Sequence, residues 1–75
     1  MDLQWLSTCG RPWAESRART AMEITSLAQA GEISMEEFQA LMQDLAYSDQ
    51  LNAEADDMDV KNALVACIMI GAKLA

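Results

Sequence analysis

Gly31-Glu32-Ile33-Ser34-Met35-Glu36-Glu37-Phe38 reads as the end of one helix and the start of the next. Ser34 and Glu37 have the S-x-x-E spacing of a capping box. The serine hydroxyl can accept from the Glu37 amide, and the Glu37 carboxylate can reach back to the Ser34 amide. Ile33 and Phe38 fall at the two positions of a hydrophobic staple. Gly31 suits the left-handed residue that closes a helix. Two helices therefore meet in a short turn.

Upstream of the turn, the spacing predicts a first helix over 12–30. Pro12 is tolerated at a first helical position, where its missing N–H costs nothing, and the Ala-rich interior favours helix. Trp13, Ala14, Arg17, Ala21, Ile24, Leu27 and Ala28 fall near one side, a thin stripe of mostly small residues. Residues 1–10 form a short lead with apolar Leu3, Trp5 and Leu6 and a turn at Cys9-Gly10. The sequence leaves open whether this lead docks on residues 11–75, the single helical domain.

Downstream, a second helix is expected over 35–47. Met35, Phe38, Leu41, Met42 and Leu45 have the spacing of a core-facing stripe. Glu36 and Glu37 in its first turn complement the helix dipole. Ser48-Asp49-Gln50-Leu51-Asn52 is a weak break without Gly or Pro, so one continuous helix over 35–74 stays open as the alternative. A third helix is expected over 53–74. Glu54, Asp56, Asp57 and Asp59 open it, and Lys73 answers the dipole near its end. Residues 63–70 are apolar on every side, and such a helix is buried all round. Two short helices of the same chain can hardly cover it. A homo-oligomer or a bound partner is therefore expected, with Leu64, Cys67, Ile68 and Gly71 as the self-association seam. The competing expectation is that the Trp-bearing lead wraps over the open side. The expected fold class is all-α, with three helices: a helical hairpin plus an apolar C-terminal helix.

Seventy-five residues make one domain, and a chain this short buries only about 60% of its unfolded surface. Half of the residues are hydrophobic, which argues against disorder. Six Met residues stand in for scarce aromatics; Met fills irregular cores and adaptable surfaces. The net charge of -7 lies wholly in residues 32–75, because three Arg balance three acids before them. That sign excludes direct binding of nucleic acid and disfavours anionic membranes. It suits a basic protein surface, including a nucleic-acid-binding groove, or simple solubility. The acidic start, Met1-Asp2-Leu3-Gln4-Trp5, does not read as a secretory signal. The longest apolar run, 63–72, is about half of what spans a bilayer. Cys9 and Cys67 are expected to be free thiols.

Catalytic chemistry finds little support. Residues 31–38 resemble the exit half of an EF-hand loop, with Gly31, Ile33 and Glu37 in register. Its first, third and fifth ligand positions are then Ser26, Ala28 and Ala30, and alanine offers no oxygen to calcium. The acids at 54, 56, 57 and 59 diverge on a helix. There is no His, which removes the commonest general base and the partner of a nucleophilic Ser or Cys. No catalytic residue, metal or cofactor is expected. Arg11, Arg17 and Arg19 form the one basic cluster. Their plain role is to meet the acids of the later helices; their functional role is to anchor a partner. Trp with Arg is the usual chemistry of interface hot spots. The expected partner-binding residues are Trp5, Trp13, Arg17, Asp56, Asp57 and Asp59.

The stretch 24–45 (ITSLAQAGEISMEEFQALMQDL) resembles the short helical-hairpin family called SHOCT: leucines, then Gly-x-Ile-Ser/Thr-x-Glu-Glu-Phe, then a second amphipathic helix. The resemblance implies a small oligomerisation or contact module without catalysis. The compact acidic chain also resembles small viral or phage accessory proteins; the expected location is the cytoplasm, that of the host cell if the protein is viral. The leading expectation is a non-enzymatic regulator or inhibitor that docks on a larger protein. The others are a structural component forming helical homo-oligomers and a nucleic-acid mimic that blocks a basic groove.

Overall fold

Side-chain caps open four helices, and together with Pro12 they divide the described residues into five helical segments. The computed structural model describes residues 2–74, except the side chains at 49, 50, 73 and 74. Asp2 accepts the Trp5 amide at 2.8 Å and opens α1 (Leu3–Leu6). Pro12 stands first in α2 (Pro12–Gln29), and Glu15 reaches back to the Gly10 amide at 3.0 Å. Ser34 Oγ accepts the Glu37 amide at 3.1 Å and opens α3 (Met35–Ala46). Ser48 Oγ accepts the Leu51 amide at 3.2 Å and opens α4 (Asp49–Glu54). Asp57 Oδ1 accepts the amides of Asp59 and Val60, at 3.0 and 3.2 Å, and opens α5 (Met58–Leu74). The fold is all-α.

The α2–α3 joint forms where the spacing predicts, with the Ser34 half of the capping box in place and the Glu37 carboxylate meeting the Ser34 hydroxyl rather than its amide. Gly31 has φ 75°. Its amide donates to the Ala28 carbonyl at 3.1 Å, and the Glu32 amide donates to that of Leu27 at 2.9 Å. Those two bonds make a Schellman motif. Ile33 packs against the core cluster to which buried Phe38 belongs. Ser34 Oγ also donates to Glu37 Oε1 at 3.4 Å.

Two expectations are corrected. The stretch 48–52, expected as a break, instead opens the short helix α4, the helix expected over 53–74 begins only at Met58 as α5, and the continuous helix over 35–74 does not form. Ser48 starts α4, and the chain turns extended at Ala55 (ψ 114°). Asp57 then serves as the N-cap of α5, so of the four acids only Asp59 lies in that helix's first turn. The lead, left open by the sequence, docks as α1 against α2 and α5. Leu6 is fully buried there, and Arg19 Nη2 donates to the Ser7 carbonyl at 3.0 Å, tying the end of α1 to α2. Trp5, by contrast, is 46% exposed.

The second correction concerns the apolar half of α5. Val60, Leu64, Ile68 and Ala72 repeat every four residues and are buried against the rest of the chain. The helices α2, α3 and α5 pack against one another, and the α3–α5 contact is the most extensive. Ala14, Ala18 and Ala21 line the inner side of α2; their small side chains permit close approach. Leu64 and Ile68 therefore do not form an exposed seam. Cys67 and Gly71 are half-buried, and a Cβ added at Gly71 would lie 3.6 Å from Met42 Cε. Outward on α5 stand Asn62, Ala66 and Ile70. Leu27, Met35 and Leu41, placed on core stripes by their spacing, are exposed. The buried line of α3 is Phe38, Met42 and Ala46. No helix among the described residues is long and apolar enough to cross a membrane.

Candidate protein-binding groove

One side of the α2–α3 pair has no helix over it. The resulting open groove, 810 Å³ in volume, has an apolar lining of Trp13, Ile24, Leu41 and Leu45. The α3 spacing makes it. Phe38, Met42 and Ala46 fill the inward line, while Leu41 and Leu45 fall one position before Met42 and Ala46 and turn toward α2. The apolar arc of α3 is thus wider than its core contact needs.

Arg17 also lines the groove, and only 11% of its side chain is exposed. Its Nη1 donates to Glu54 Oε2 and to the Trp13 carbonyl, both at 3.4 Å. Its Nη2 donates to Ser48 Oγ at 3.2 Å. Its Nε is buried without a hydrogen bond, a loss of about 1–3 kcal/mol relative to a paired donor. The guanidinium thus joins α2, the α4 cap and the end of α4. Next to it, Arg11 bridges the α4–α5 linker: Nη1 to Asp56 Oδ1 at 3.2 Å and Nη2 to Asp57 Oδ2 at 2.9 Å. Trp13 Nε1 donates to the same Asp56 Oδ1 at 3.0 Å, which gives its buried indole a polar partner.

Of the six residues expected to bind a partner, Trp13, Arg17, Asp56 and Asp57 come together, but they bind one another's segments. The plain role read for the arginines, meeting the acids of the later helices, is the one Arg11 and Arg17 perform. Trp5 and Asp59 are exposed and stand outside the groove lining. The sequence reading missed Ile24, Leu41, Asp44 and Leu45 as a shared surface. The available signal was the adjacent pairs Leu41-Met42 and Leu45-Ala46, which widen the apolar arc of α3 beyond a single stripe.

The acids lie on the rims. Glu37, Leu41 and Asp44 follow one line on α3 at spacings of four and three; Thr20, Glu23 and Leu27 do so on α2. All but Thr20 are exposed. A smaller groove of 380 Å³ lies between α3 and α5, lined in part by Tyr47, Lys61, Val65 and Met69. Cys9 and Cys67 are not joined in a disulfide, and both are half-buried. Among the described residues, no group of three or more Cys, Asp or Glu side chains converges in a way that could hold a metal ion. Comparison with protein-family models, curated proteins and solved structures finds no match for this chain.

Proposed function

We propose that this protein is a non-enzymatic contact protein, a small acidic regulator or inhibitor that docks on a larger protein. The observation that carries the reading is the uncovered α2–α3 groove, with Leu41 42% exposed on its edge. An apolar, concave surface rimmed by polar residues is typical of a binding site. The shallow lining suits a side-chain-to-side-chain contact better than the enclosure of a small molecule.

The test is capture from a host extract by the immobilised chain and by Leu41→Asp, Trp5→Ala and Ile70→Asp variants. All three positions are exposed, so helicity should be retained. One protein held in fixed proportion by the parent chain and lost in one variant supports the reading. No such protein, or one held equally by all three variants, counts against it.

A second reading, a structural component that forms helical homo-oligomers, is favoured by Ile70, 56% exposed on the outer side of α5. Light scattering behind size-exclusion chromatography over a wide concentration range separates the two. A stable dimer or larger species supports assembly, and a monomer throughout removes it.

A further inference from the structure

We infer that the α2–α3 groove takes a cationic amphipathic helix, one whose apolar side chains are flanked by Lys or Arg. This rests on the contact role proposed above and names the chemistry of its partner.

The groove runs beside α2 from Trp13 to Ile24, a rise of about 17 Å at 1.5 Å per residue. That length matches roughly three turns of a second helix, lying where a further bundle member would lie. Its floor offers Trp13, Ile24 and Leu45, and Leu41 stands at its edge. Recognition of this kind uses apolar anchors at i, i+3 or i+4, and i+7.

The charge selects the partner. Arg17, the basic residue in the lining, is already engaged with Glu54 and offers little to an anionic partner. Of the acids in the lining, Glu54 is paired with Arg17, while Asp44 is exposed on α3, and exposed Glu37 precedes it by seven positions on the same helix. A helix seated on the apolar floor places its flanking residues beside those carboxylates. Lys or Arg there is drawn in, whereas Asp or Glu is repelled. A second copy of this chain is disfavoured on the same ground, since each copy carries -7.

The probes are synthetic helical peptides of about twelve residues, three turns or so. One is Leu/Lys amphipathic, one is Leu/Glu with the same pattern, and one is a Leu/Lys scramble that has no apolar face. Binding is followed by fluorescence anisotropy, and the contact surface by amide shifts in the full chain. The Leu/Lys helix should bind at least about tenfold more tightly than either of the others, with the largest shifts at Ile24, Leu41, Asp44 and Leu45. Leu41→Asp should weaken it by about tenfold, and Glu37→Lys with Asp44→Lys should reverse the preference between the Lys and Glu peptides. Equal binding of the scramble, or shifts centred away from the groove, overturns the inference. So does a charge-reversed variant with unchanged preference. If the peptides fail while the chain still holds one extract protein through Trp5 or Ile70, the contact role stands and only the groove's partner class falls.

Discussion

The carboxylate of Asp57 divides its two oxygens between two tasks: Oδ2 accepts from Arg11 Nη2 at 2.9 Å, while Oδ1 caps α5. One residue thus sets where α5 begins and ties that start to the N-terminus of α2, 46 residues earlier. The two tasks are separable. Asp57→Asn keeps an oxygen for the cap and loses the ion pair, which is partly exposed and worth about 0.5–1 kcal/mol. Asp57→Ala loses both, and the cap adds about 1 kcal/mol more. In urea unfolding, Asn should therefore fall between the parent and Ala. A double-mutant cycle with Arg11→Ala should show coupling for the pair. Asn and Ala variants of equal stability would remove the capping role.

The two glycines Gly31 and Gly71 should respond to alanine with opposite sign. Gly31 has φ 75°, a conformation that costs an L-residue about 1–2 kcal/mol, so Gly31→Ala should lower stability by about that much. Gly71 lies within α5, and its added Cβ would make an ordinary contact with Met42 Cε at 3.6 Å. Gly71→Ala should raise stability by about 0.5–1 kcal/mol through helix propensity. Thermal melts of both variants check this. A destabilised Gly71→Ala would mean that Met42 cannot accommodate the methyl group.

Arg17 is a nearly buried cation with long contacts and one buried N–H left unbonded. Replacing such a group by an apolar chain of similar length is often neutral or stabilising. Glu54 is partly exposed and keeps its access to water. Arg17→Met should therefore stay within about 1 kcal/mol of the parent chain, whereas Arg17→Ala should lose more by emptying the space under the groove. A large loss in Arg17→Met, measured by urea denaturation, would show that the ion pair is needed for the α2–α4 arrangement.

Docking of α1 rests on Leu6, fully buried at its C-terminal end. Leu6→Ala should cost about 2–4 kcal/mol, a large share of what a chain this size has. Trp5→Ala, next to it but exposed, should change stability by no more than about 0.5 kcal/mol. Denaturation midpoints decide. A mild Leu6→Ala effect would mean that α1 contributes little to the fold.

Ile68 and Ile70 separate the folding of α5 from any association through it. Ile68→Asp places a charge in the core and should abolish the cooperative melt. Ile70→Asp sits on the exposed side and should leave the melt within about 0.5 kcal/mol. The mass of the Ile70→Asp variant, and not that of Ile68→Asp, therefore reports on self-association along this helix. A folded Ile68→Asp would show that α5 packs less tightly than its burial indicates.

Local chemistry was legible from the sequence. The Gly31–Phe38 joint, Pro12 at the start of α2, the all-α class and the acidic bias all depend on residues within a few positions of one another. Hydrogen bonds over three to five residues do not need the rest of the chain in order to be read. The break at 55–57 was not legible in the same way. Asp57 is a good N-cap, but so are the Asp and Ser residues around it, and the choice is reinforced by Arg11 from the far end of the chain.

Periodicity told which residues of α3 and α5 were apolar, but only the tertiary structure decided which of them are covered. Leu64 and Ile68 looked available to a second copy, yet they are enclosed by the chain's own helices. Leu41 looked like core, yet it borders the groove. Trp13, Arg17, Asp56 and Asp57 hold the chain's own segments together through contacts that only the tertiary structure shows. The reason is physical: capping is a property of a few consecutive residues, whereas burial and ion pairing depend on which elements lie alongside, and packing of the whole chain sets that.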